Sequence, residues 1–158
     1  LEVIQMSENI MAIKLFDDGV AAFLRSDFKA SIKYFTQALK HDRKFALVYS
    51  SRGAAQLKIN KIDKAISDFT RAIRLDPSYA RAFHLRGLAH EQAGEVARAY
   101  RDFDRAIEID PDLAAAYRSR DSVLDREVDD RRDFEDFEMA EHLKAMTVAL
   151  FTGEKKAA

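Results

Sequence analysis

Apolar, small and polar residues return in the same order every 34 positions along the middle of this chain. Laying 46–79 over 80–113 gives 12 identities in 34 places, among them Gly53/Gly87, Ala65/Ala99, Phe69/Phe103, Ala72/Ala106, Asp76/Asp110 and Pro77/Pro111. A fixed period of this length marks a supersecondary unit that is repeated and stacked. One more shift places Leu15, Gly19, Phe28, Ser31, Phe35 and Ala38 under Tyr49, Gly53, Ile62, Ala65, Phe69 and Ala72. A first unit therefore spans 12–45, a second 46–79 and a third 80–113.

Within a unit the pattern predicts two helices. In the second unit they run over 46–57 and 61–74, joined at Lys58–Asn60 and stopped by Asp76-Pro77, because proline cannot continue a helix and pushes its predecessor to extended geometry. Gly53, Gly87, Ala65 and Ala99 stand where paired helices approach closely, and Tyr49, Phe83, Phe69 and Phe103 fill the gap beside them. One pair cannot bury its own apolar face, so stacked neighbours complete the core.

The pattern changes at both ends. Residues 1–11 extend the first helix backwards, with Ser7 and Glu8 a candidate cap for a helix reaching about Arg25. A fourth first-type helix begins at Ala114, Ala115, Ala116 and Tyr117, but Asp121 stands where the close-packing glycine belongs. After the charged run Asp125–Asp133, apolar residues from Phe134 to Leu150 recur three or four apart and predict an amphipathic helix over about 132–151. That segment, 114–151, is expected to cap the solenoid; its sharper reading is a helix that docks in a groove. Residues 152–158 are expected to form a frayed tail.

Composition agrees with helix. The chain has 158 residues, 47% hydrophobic and 34% charged, with five Gly and two Pro, which suits one helical domain able to bury a core. The formal net charge of −1 gives no overall field to draw nucleic acid or an anionic membrane. The absence of cysteine excludes disulfides, thiolate catalysis and cysteine-ligated zinc. No window approaches the ~20 apolar residues of a membrane span, and Leu1–Gln5 carries no basic stretch before an apolar run, so a cytoplasmic protein without a membrane partner is expected.

The recurring order of aromatic, Gly, Ala, Phe, Ala and Asp-Pro resembles the tetratricopeptide repeat. The resemblance covers about 12–113 and implies an all-α, right-handed solenoid whose first helices line a concave, peptide-binding groove. On that geometry the groove positions are Ile13, Phe16 and Val20; Leu47, Ser50, Ser51 and Ala54; Arg81, His84, Leu85 and Leu88; and Ala115, Arg118, Ser119 and Ser122. The first repeat is apolar, and Arg81, His84 and Arg118 make the later part basic, so a ligand with an apolar anchor and an acidic group is the natural complement. One subclass of the family clamps chaperone-tail carboxylates. The matching positions here are Phe16, Val20, Ser51, Arg81 and Leu85, of which Arg81 alone keeps a comparable charge, so a standard clamp is not expected.

No catalytic constellation is visible. The histidines His41, His84, His90 and His142 include no pair at the three- or four-residue spacing that puts two imidazoles on one metal, and Asp129-Asp130 and Asp133-Glu135-Asp136 lack the glycine turn of a calcium loop. Arg52 and Arg86, each sixteen residues before Asp68 and Asp102, predict a recurring inter-helix ion pair more readily than a ligand-binding ladder. The expectation is therefore a protein-binding adaptor or scaffold, not an enzyme, with no cofactor and no metal. The alternative is a structural module that self-assembles through the C-terminal helix, which leaves a monomer or a weak homo-oligomer open.

Overall fold

The computed structural model of the chain describes residues 2–126, 137–139 and 141, with no strand among them. The chain divides into two compact units, Leu1–Arg120 and Asp121–Ala158. The first holds three helix hairpins, α1 (Glu2–Leu24) with α2 (Phe28–His41), α3 (Ala46–Lys58) with α4 (Ile62–Leu75), and α5 (Ala80–Gln92) with α6 (Val96–Ile109). Successive hairpins pack through α2 on α3 and α4 on α5, which makes this unit an α-solenoid. Residues 114–120 begin a further helical stretch.

Each hairpin closes on a glycine. A Cβ at Gly19, Gly53 or Gly87 would stand 2.5, 2.8 or 2.5 Å from a ring carbon of Phe35, Phe69 or Phe103, sixteen residues later. Those rings are buried in the helix interface, at 1%, 0% and 0% exposure, so they have no room to retreat. The turn inside each hairpin also repeats: Ser26, Asn60 and Gly94, spaced by 34, all take the left-handed conformation that ends a helix.

The turns between hairpins have a different cause. Asp42, Asp76 and Asp110 end α2, α4 and α6 with extended backbone, and each donates its own N–H to the carbonyl four residues back. Each also accepts with Oδ1 the N–H two residues on, from Lys44, Ser78 and Asp112. The Asx turn is thus common to all three, whereas proline follows the aspartate in only two of them.

A polar spine crosses the hairpins. Arg52 Nε and Nη2 each donate to Asp68 at 2.7 Å while Nη1 donates to Thr36 at 3.2 Å; Arg86 repeats this with Asp102 and Thr70. The bond to Asp68, with its charge, raises the affinity of Arg52 for its proton. The sixteen-residue spacing is therefore a fork-to-fork ion pair that also reaches the preceding hairpin. Arg120 has no Thr ahead of it; it donates to Asp104 at 3.1 Å.

Two expectations change. Helix α1 already runs from Glu2, so Ser7 sits inside it and caps nothing. The helix expected over 132–151 lies mostly outside the described residues, although 137–139 and 141 within it are helical. In this second unit Phe137 stands 34 positions after Phe103 and Asp121 stands 34 after Gly87. Phe137 is 61% exposed, in keeping with the loss of the side-chain-free surface that such a ring needs.

Replacing Gly87 with Ala tests the close approach. Helix propensity alone would stabilise the variant by roughly 1 kcal/mol, but the clash with a ring that cannot move is expected to destabilise it by roughly 1–3 kcal/mol. Urea unfolding reads the sign; a variant as stable as the parent would remove the glycine–phenylalanine contact as the constraint on pairing.

Candidate functional site

The first helices of the hairpins line a cleft of about 360 Å³. Helix α1 contributes Val20, Phe23 and Leu24, three and four residues apart and hence on one face. Helix α3 contributes Leu47, Ser50, Ser51 and Ala54 on the same spacing, and α5 contributes Arg81 and Leu85, preceded by Tyr79. Phe35 reaches the cleft from α2, so the ring that packs on Gly19 also serves as floor. The cleft is therefore apolar along α1 and bears three hydroxyl side chains, Ser50, Ser51 and Tyr79, and one guanidinium toward α3 and α5. Leu24 is 78% exposed. Arg81 is exposed and makes no ion pair among the described residues.

Of the residues expected from sequence, the structure brings Val20, Ser51, Ala54 and Arg81 together here, with Leu47, Ser50 and Leu85. Phe16 does not belong with them. Its ring lies 5.7 Å from that of Phe35 and 5.5 Å from that of Phe45, within the core joining the first two hairpins. Leu88 is half-buried and lies outside the cleft, and Ile13 is exposed outside it. Arg118 is exposed elsewhere on the same unit, and Ser122 belongs to the second unit.

His84 is also corrected. It is buried, shares a 3.0 Å hydrogen bond between Nε2 and Ser119 Oγ, and packs its ring 5.7 Å from that of Phe103. Burial, then the charges of Arg81 and Arg118, push its pKa below the ordinary value, so the imidazole is neutral at pH 7 and adds no cation to the groove. It ties α5 to the helical stretch that follows Ala114. Phe23, Leu24, Phe35 and Tyr79 were missed from sequence; the first two follow the expected groove residue Val20 by three and four positions, a helical spacing that could have flagged them.

Among the described residues no three His, Asp or Glu side chains gather into a metal-holding set. No described helix is long and apolar enough to cross a membrane.

A family model described as tetratricopeptide repeat matches residues 50–114. The second TPR domain of human RPAP3, solved in complex with the HSP70 peptide SGPTIEEVD, is 31% identical with a TM-score of 0.71; the match covers 73% of this chain and 97% of that one. The second TPR of Spaghetti (RPAP3), bound to the HSP90 peptide SRMEEVD, is 33% identical with a TM-score of 0.66, covering 70% of this chain and all of that one. The Arabidopsis OM64 TPR domain is 24% identical with a TM-score of 0.74, covering 75% and 98%, a likeness of fold. No curated protein matches the chain. The fold shared with these domains is the right-handed helix-pair solenoid.

The lowered pKa of His84 fixes a sign. A base that is harder to protonate when folded binds more protons unfolded, so stability falls as pH drops below the ordinary histidine value of about 6.5. The urea midpoint is expected to be lower at about pH 5.5 than at pH 7.5, and His84→Gln, which keeps a partner for Ser119, should lose less over the same interval. Equal losses in parent and variant would show that His84 does not carry the effect.

Proposed function

The chain belongs to the tetratricopeptide-repeat family, and on that premise we propose that it is a protein-interaction module that takes a peptide segment of a partner in the α1–α3–α5 cleft. The observation that carries this reading is the cleft's division into an apolar half, Val20, Phe23, Leu24 and Leu47, and a polar half, Ser50, Ser51 and Arg81. An apolar side chain enters the first half without leaving a buried polar group unpaired. An acidic group meets the guanidinium and hydroxyls of the second. The helices are already formed, so binding orders little of the module itself.

The two RPAP3 domains take chaperone-tail peptides, which end in two glutamates, a valine and a C-terminal aspartate. The positions that the family resemblance assigns to a carboxylate clamp hold Phe16, Val20, Ser51, Arg81 and Leu85 in this chain. One guanidinium and one hydroxyl suit a ligand with a single acidic group beside its apolar anchor. A tail bearing several carboxylates would leave most of them without a charged donor.

Two substitutions test the reading. Arg81→Glu reverses the one cation of the cleft, and Ala54→Arg fills its floor. Partners recovered from native lysate on the parent are expected to fall by roughly tenfold or more on either variant, a change of about 1.4 kcal/mol or more. An unchanged partner list would remove the cleft as the binding site. Calorimetry with SGPTIEEVD is expected to give at most weak binding; tight binding abolished by Arg81→Glu would overturn the single-acid specificity.

A further inference from the structure

The net charge of −1 conceals a separation. Residues 28–75 hold eleven Lys and Arg against three Asp and Glu. Helix α2 contains no acidic residue. Lys29, Lys33 and Lys40 stand four and seven apart, on the face that also carries Thr36. On α4, Lys64 and Arg71 share the face of Asp68. Arg52 bonds Thr36 and Asp68 at once, so the polar spine holds these two cationic faces side by side. All five cations are exposed, and none makes an ion pair among the described residues. None of them lines the cleft.

We propose that this α2–α4 face is a second interaction surface, taking a short acidic polypeptide segment. Lys29 to Lys40 spans about 16 Å at 1.5 Å per residue, the length of a few carboxylate-bearing residues. Charge complementarity limits the occupant to that size. On one side α1 presents exposed Asp17 and Asp18, and on the other the α6 arginines in register with Lys64 and Arg71, Arg98 and Arg105, are neutralised by Glu95 and Glu108 at 2.9 and 2.7 Å. Residues 1–27 carry five acids against two bases, and 76–124 carry nine against seven. An extended polyanion runs onto acids at the α1 side and onto neutralised pairs at the α6 side, whereas a short acidic segment meets only the cations. The Tyr49 ring beside the spine is no free stacking platform for bases, because the guanidinium groups of Arg52 and Arg71 lie 5.6 and 5.9 Å from its centroid.

The probe is decaglutamate, titrated against the full chain by fluorescence anisotropy. Binding is expected at about 20 mM salt and is expected to weaken roughly tenfold or more by about 200 mM, as screening shortens the reach of the charges. The variant K29E/K33E/K40E is expected to lose it, with K29Q/K33Q/K40Q intermediate. Thermal melting checks that both remain folded; their substitutions lie at exposed positions. Arg118→Gln, which removes an exposed cation outside both the patch and the cleft, is expected to leave decaglutamate binding unchanged, which separates this surface from the general positive charge of the chain. Absence of binding at low salt, equal affinity in the charge-reversed variant, or tighter binding of a DNA duplex of comparable charge or of anionic vesicles would overturn the proposal.

Discussion

The benzyl ring of a phenylalanine lying on the bare backbone of a glycine sixteen residues earlier is the contact on which this solenoid depends. At Gly19, Gly53 and Gly87 the approach leaves no space for a β-carbon, and the rings of Phe35, Phe69 and Phe103 are excluded from water. Burying such a ring supplies much of the apolar stabilisation available to a two-helix unit. The same contact fixes how closely the two helices pair. Asp121, at the fourth place in the register, has no such surface to offer.

Hairpins joined only by apolar stacking could slide. The forked arginines oppose this, because Arg52 and Arg86 each bond a carboxylate in their own hairpin and a threonine hydroxyl in the one before. The requirement is geometric, as only a planar guanidinium presents enough donors in the right fan. It has an electrostatic consequence. The aspartates of the spine are neutralised from within, and the surface cations of α2 and α4, Lys29, Lys33, Lys40, Lys64 and Arg71, make no ion pair among the described residues.

The cleft arises from the same stacking. Three first helices stand in a row, each turning a stripe of residues three and four apart toward the shared concavity. The residue types in the stripe differ between repeats while the packing positions do not. His84 illustrates how the two roles compete: it occupies a groove position in the register, yet it is drawn inward to Ser119 and Phe103 and loses its charge to burial and to Arg81 and Arg118. Phe16 is withdrawn in the same way by Phe35 and Phe45.

Periodicity alone determined the number of described hairpins, the small residues at the close approaches and the sixteen-residue ion pair. Each of these depends on local spacing along a helix of known pitch, and a 34-residue register repeats that spacing faithfully. The family resemblance, not the period, proposed Val20, Ser51, Ala54 and Arg81 as groove positions, and all four line the cleft. Only the tertiary structure decided which candidates line the cleft. Whether Phe16 or His84 faces the cleft or the core depends on rings and hydroxyls contributed by other helices, which no spacing within one helix records. The side-by-side setting of the α2 and α4 cations was likewise hidden, since one arginine side chain from a third helix holds those two faces together.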